Sequence, residues 1–128
     1  MDLIKKALEI AIKAHNGVVG KDGLDYVVHP ITVALECNTG DEKVVALLHD
    51  VIEDTPMTLD DLRKEGFPDY IVEAVDAVTR RKPAESNGAA RWKYIERCKA
   101  NPIARVVKIA DLEHNSDLSR IQNPTANT

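Results

Sequence analysis

The chain has 128 residues, of which 44% are hydrophobic, 30% are charged and only 4% are aromatic, and its formal net charge is −4. This length fits one domain spanning residues 1–128, and the low aromatic content favours amphipathic helices over a β-sandwich. The acidic balance argues against duplex nucleic acid, and no apolar run approaches the roughly 18 residues of a membrane span, so we expect a cytoplasmic protein without a nucleic-acid or membrane partner. Cys37 and Cys98 lie singly in apolar segments, which is more typical of reduced core or interface residues than of a disulfide.

Helical periodicity and capping signals predict two helices in the first third of the chain. The first covers residues 3–15 behind an Asp2 cap. A glycine-rich loop over residues 18–28 follows it, and Pro30 suits the first turn of the second helix. His29 is therefore expected where a loop enters a helix.

Asp41 is the expected cap of a third helix, whose run over residues 44–48 is apolar on nearly every side, as in a helix through the middle of a domain. Four more helices are predicted: a short fourth with a capping box of Thr58 and Asp61 and an end at Gly66, a fifth from Pro68 through Val78, a sixth over residues 89–99, and a seventh from Asn101-Pro102 to at least Asn115. The polar residues 80–88 are expected to be flexible.

The third helix is predicted to continue into a charged cluster. His49 and Glu53 are four residues apart, as are Asp50 and Asp54, so the last turn presents one imidazole and three carboxylates. A helix C-terminus disfavours carboxylates because the macrodipole is negative there. A divalent cation would compensate this negative charge. The alternative is that these residues lie at a solvated helix end, and this alternative is sufficient to explain Asp54 taken alone.

Asp111 follows an apolar helix face in the seventh helix, with His114 and Asn115 three and four residues on. A single aspartate in such a position is more often a surface residue than a metal ligand. Because the His49-Asp50 pair is present in the same chain, we expect Asp111 to be a further ligand.

Three segments together resemble the HD hydrolase domain of the RelA/SpoT family. They are His29-Pro30, the run Ala-Leu-Leu-His-Asp-Val-Ile-Glu-Asp-Thr over residues 46–55, and Lys-Ile-Ala-Asp over residues 108–111 with Asn115. The resemblance implies an all-α, compact multi-helix HD-domain bundle. It also implies a stand-alone hydrolase that removes the 3′-pyrophosphate from the stringent-response alarmone (p)ppGpp with Mn²⁺.

The same resemblance implies a role for eight residues. Metal ligands are His29, His49, Asp50 and Asp111; the residues that position and activate the attacking water are Glu53 and Asp54; substrate contacts are Lys21 and Asn115. A mixed imidazole and carboxylate site agrees with Mn²⁺ or a similar borderline ion, whose open positions can activate water.

The chain departs from the family pattern at three positions near the expected substrate. Gly20 replaces a basic residue, Asp25 replaces a proline, and Asp117 stands where arginine is common. Less positive charge disfavours an anionic ligand. An HD phosphohydrolase for another phosphorylated nucleotide and a non-catalytic nucleotide-binding module therefore remain alternatives.

Two further patterns concern the surface. The basic residues Arg80, Arg81, Lys82 and Lys108 could offset the lost positive charge, but a charge run at a loop is more typical of a solvated face than of phosphate contacts. Trp92 and Tyr94 are two residues apart on the sixth helix, so both cannot face the core. One of them is expected at an edge or at a contact with another subunit, which is compatible with a homo-oligomer.

Overall fold

Helices make up most of the chain that can be described. The structure is a computed structural model that describes residues 2–20, 23–81 and 90–114, and the backbone of Asn115. In chain order the helices are α1 (Leu3–Ala14), α2 (Val28–Glu36), α3 (Gly40–Leu48), α4 (Val51–Asp54), α5 (Leu59–Lys64), α6 (Asp69–Ala77), α7 (Arg91–Ala100) and α8 (Pro102–Asn115). Beside them, the described residues contain one isolated antiparallel bridge, between Val19 and Asp25. The predicted all-α class is confirmed.

Helix α3 forms the centre of the packing. It contacts α1, α2, α6 and α8, and all five residues from Val44 to Leu48 are buried. Its apolar surface on every side suits this position, because burying one Leu or Val side chain contributes about 1.5–3 kcal/mol. The C-terminal end of α3 consequently delivers the next residue, His49, into the interior.

The cap of α3 differs from the prediction. Thr39 is the N-cap residue: its hydroxyl accepts a hydrogen bond from the Glu42 amide at 3.2 Å, and the Glu42 carboxylate accepts one from the Thr39 amide at 3.2 Å. The prediction of Asp41 as the cap is wrong, because this reciprocal pair starts the helix at Gly40, so that Asp41 is already helical. Asp41 lies in the first turn, where a carboxylate complements the helix dipole.

The sequence predicted that α3 continues into the charged cluster, and this prediction is also wrong. Helix α3 ends at Leu48, and α4 begins only at Val51. The His49 ring nitrogen Nδ1 lies 2.5 Å from the Ala46 carbonyl oxygen, so a side chain uses a backbone acceptor at the end of the helix. The helical pattern resumes where the Asp54 amide donates to the Asp50 carbonyl at 3.0 Å.

The other predicted signals behave as expected. Thr58 and Asp61 form the capping box of α5, and Asn101 caps α8 by accepting from the amides of Ile103 and Ala104 at 3.1 and 3.0 Å. Cys37 and Cys98 are both buried.

Exposure decides which of the two aromatic residues of α7 faces the core. Trp92 is 62% exposed whereas Tyr94 is 2% exposed, so only the tyrosine faces the core. Within the described ranges, no helix combines the length and the apolar character needed to cross a membrane.

Candidate metal centre

Three buried side chains from three helical regions meet beside α3. His29 lies in the first turn of α2, His49 directly follows α3, and Asp111 lies in α8. Asp111 Oδ1 is 2.7 Å from His29 Nε2 and 3.3 Å from His49 Nε2. The ligand atoms of all three lie within 4.8 Å of one another, and the three residues are only 4–6% exposed. They share a buried point at which a cation could bind.

The chemistry of these donors fits a divalent cation. Two imidazoles and a carboxylate suit borderline ions of the first transition row. Burial alone would raise the pKa of Asp111, but hydrogen bonds from His29 and His49 hold it well below its usual range, so the carboxylate is ionised. Burial alone would lower the pKa of His49, but the charges of Asp50 and Asp111 raise it to about 9. A cation bound here would displace that proton.

Asp50 lies beside this trio and is held by a tyrosine. Its Oδ2 atom is 3.2 Å from His49 Nε2 and accepts a short hydrogen bond from the Tyr26 hydroxyl. Burial, with the Asp50 charge, raises the pKa of Tyr26 well above its usual value, so the phenol remains a neutral donor. Tyr26 thereby fixes one oxygen of Asp50 and leaves the other available to a ligand.

Glu53 and Asp54 lie on α4 but in different surroundings. The Glu53 side chain is 3% exposed and pairs with Arg80, whose Nη2 is 2.9 Å from Oε1. Glu53 lines the cavity beside the metal-ligand trio, whereas Asp54 is exposed and lines a separate cavity with Lys13 and Met57. Adjacent helical residues point about 100° apart, which explains the divergence.

The cavity at the trio measures about 120 Å³. Besides the four expected ligands and Glu53, it is lined by Tyr26, Val78, Arg80, Tyr94 and Lys108. Lys108 Nζ is 3.0 Å from Asp111 Oδ2. Two of the basic residues considered in the sequence therefore face the site. Arg81 instead pairs with Asp76 at 2.9 Å, and Lys82 lies outside the described residues.

Sequence reasoning assigned no role in the site to two histidines that lie near the ligands. His114 stacks on His29 with ring centroids 4.8 Å apart, and their Nδ1 atoms are 2.6 Å apart. His15 is buried, contacts the edge of Tyr26, and its Nε2 has no hydrogen-bond partner among the described residues. The spacing of Asp111 and His114 on one helix face was the available sequence signal for His114. No sequence signal pointed to His15.

The two expected substrate contacts cannot be placed. Lys21 lies outside the described residues. Asn115 is the last residue of α8, one turn beyond Asp111, and its side chain is likewise outside the described part.

Fold and site together define an all-helical protein with a buried cluster of two histidines and an aspartate in a polar cavity. The chain is 33% identical over 135 residues to a probable GTP pyrophosphokinase of Mycobacterium leprae, which covers 97% of this chain and 17% of that protein. It is 32% identical over 124 residues to the bifunctional (p)ppGpp synthase/hydrolase SpoT of Escherichia coli, with 88% and 17% covered. It is also 32% identical over 122 residues to a guanosine-3′,5′-bis(diphosphate) 3′-pyrophosphohydrolase of Spiroplasma citri, with 88% and 16% covered.

A solved structure extends the likeness to the fold. The structure of a metazoan ortholog of SpoT, described as hydrolysing ppGpp and acting in starvation responses, has a TM-score of 0.78 and 29% identity, covering 93% of this chain and 71% of that chain. No protein-family model matches the chain. The predicted resemblance to a RelA/SpoT-like hydrolase domain is confirmed in sequence and in fold. It spans 14–17% of the length of the curated relatives it matches.

Proposed function

We propose that this chain is one metal-dependent hydrolase domain that removes the 3′-pyrophosphate from (p)ppGpp, with Mn²⁺ as the cation. The observation that carries the proposal is the convergence of His29, His49 and Asp111 donors within 4.8 Å. This cluster occurs in a chain related to proteins named as (p)ppGpp hydrolases.

The site residues divide into ligands and water-handling groups. His29, His49, Asp50 and Asp111 would hold the cation, which would supply charge stabilisation at phosphorus and lower the pKa of bound water. Glu53 would take a proton from the attacking water while the oxygen of that water forms a bond to phosphorus. The bond between phosphorus and the ribose 3′ oxygen breaks, that oxygen takes a proton, and ppGpp yields GDP and pyrophosphate. The roles of Asp54, Lys21 and Asn115 rest on the resemblance alone.

The cavity carries two cationic side chains that support an anionic substrate, beside the carboxylates of Asp50, Glu53 and Asp111 that a bound cation would offset. Arg80 and Lys108 line it, although the whole chain has a net charge of −4. Positive groups at the cavity wall attract phosphate oxygens locally, where solvent screening is weakest.

The deciding experiment is turnover of ppGpp by protein loaded with Mn²⁺, with GDP and pyrophosphate quantified as products. We expect metal-dependent release that is lost in His49→Ala and Asp111→Ala, while Asp60→Asn, an exposed carboxylate change on α5, retains it. No release by wild-type protein whose bound metal has been verified would refute (p)ppGpp as the substrate.

A second candidate is hydrolysis of a different phosphorylated nucleotide. Gly20 and Asp25 favour it, because a family basic residue is absent and a carboxylate lies in the bridged loop that leads to Tyr26. A panel of nucleoside polyphosphates and phosphorylated dinucleotides separates the two. Glu53→Ala then distinguishes an enzyme from a binder, since it should abolish turnover but leave the affinity of a binding module largely intact.

A further inference from the structure

Arg80 surrounds the Glu53 carboxylate. Its backbone amide donates to Oε2 at 3.2 Å, its Nε donates to Oε1 at 3.0 Å, and its Nη2 lies 2.9 Å from Oε1. The Glu53 side chain is 3% exposed, and that of Arg80 is 34% exposed. An ionised carboxylate at this depth requires compensation, which the guanidinium supplies directly.

The two carboxylate oxygens are not equivalent. Each oxygen can accept about two hydrogen bonds. Oε1 receives the two guanidinium contacts, whereas Oε2 receives only the backbone amide of Arg80. Within the described structure Oε2 thus retains capacity for another donor, and Glu53 lines the cavity beside the metal-ligand trio.

We propose that Arg80 is a positioning residue that clamps Glu53 Oε1, so that Oε2 is the oxygen presented to the attacking water. The inference rests on the proposed function for its chemistry. In that step the water O–H bond breaks, its proton passes to Oε2, and the water oxygen forms the new bond to phosphorus. The guanidinium exchanges no proton.

The guanidinium has a second consequence for the substrate. It has five N–H donors, and Glu53 engages those of Nε and Nη2. Arg80 also lines the cavity. Its positive charge therefore offsets the negative charge of Glu53 and reduces the repulsion between this carboxylate and an incoming phosphate. Loss of Arg80 should therefore lower kcat through the misplaced carboxylate and also raise KM.

The test compares Arg80→Ala, Arg80→Lys and the matched control Arg81→Ala, which removes the adjacent guanidinium and its 2.9 Å ion pair with Asp76. We expect Arg80→Ala to lower kcat by about 100-fold and Arg80→Lys by about tenfold, since an ammonium cannot reproduce the planar fork. Arg81→Ala should stay within about twofold of wild type. Added guanidinium ion should restore part of kcat in Arg80→Ala but none in Glu53→Gln.

Unchanged kcat in Arg80→Ala, or an equal loss in Arg81→Ala, would overturn the proposal. If Arg80→Ala does not fold, Arg80→Lys decides: wild-type kcat in that variant overturns it. Circular dichroism and bound-metal content are measured for every variant, so that a loss of fold or of metal is recognised.

A readout without turnover separates this inference from the proposed function. In ¹⁵N spectra of the intact protein, the Arg80 Nε–H should exchange slowly with water in wild type and at least about tenfold faster in Glu53→Gln, which offers a weaker acceptor. Equal exchange in both proteins refutes the clamp, whether or not ppGpp is hydrolysed. Slow exchange in wild-type protein that lacks ppGpp turnover would support the clamp and refute only the proposed substrate.

Discussion

Asp111→Asn provides the sharpest test of the metal site, since Asp111 Oδ1 is the atom shared by His29 and His49. A cation that binds only the folded state stabilises it by RT ln(1 + [L]/Kd), about 2.7 kcal/mol at a free concentration of 100 Kd. With about 2.1 cal/mol/K per residue, the unfolding entropy of 128 residues is about 0.27 kcal/mol/K. The wild-type Tm should rise by about 10 °C.

The variant should lose most of this shift. If Asn weakens binding by about 100-fold, the same cation concentration equals one Kd, and the stabilisation falls to about 0.4 kcal/mol, or about 1.5 °C. The assay is differential scanning calorimetry with and without Mn²⁺, with Asp60→Asn as a control for the same loss of charge. A Tm shift of equal size in Asp111→Asn and wild type would refute Asp111 as a ligand, and no shift in wild type at any concentration would refute the site.

Three further predictions concern the scaffold. Asn101→Ala should destabilise the protein by about 1 kcal/mol because two amides of α8 lose their acceptor; urea unfolding measures it, and an unchanged midpoint contradicts the cap. Leu62→Ala should cost about 2–5 kcal/mol, since this side chain is fully buried; a loss below 1 kcal/mol by the same method would contradict its core position. Hydrogen bonds from Thr58 lower the pKa of Asp61 below its ordinary 3.8. Its stabilisation is therefore complete above pH 3.8 and lost as the pH falls through the lower folded value, so the stability difference between wild type and Asp61→Asn should shrink in that acidic range. A difference independent of pH would contradict the charged capping box.

Local signals were sufficient for most of the fold. Thr58 with Asp61 and Asn101 with Pro102 each encode a helix start within four residues, so no tertiary information was needed to locate α5 and α8. Asp41 failed as a cap because Asn38, Thr39 and Asp41 all carry a side-chain acceptor at this point, and only the reach of Glu42 back to Thr39 selects among them. The break between α3 and α4 depends on where the His49 ring turns, which sequence periodicity does not contain.

The candidate site shows the same division: local sequence reveals some of its residues, and others are recognised only from contacts made in the fold. The motif placed Glu53 and Asp54 together as neighbours, yet only Glu53 lines the cavity, and there it pairs with Arg80, which follows α6. Spacing along one helix cannot reveal a partner 27 residues away. A basic run at a helix end is usually a solvated face, and Arg81 illustrates that rule; Arg80 departs from it because a buried carboxylate lies within its reach. When a carboxylate predicted at a catalytic position is buried, a cationic side chain from a distant part of the sequence is therefore expected to lie beside it.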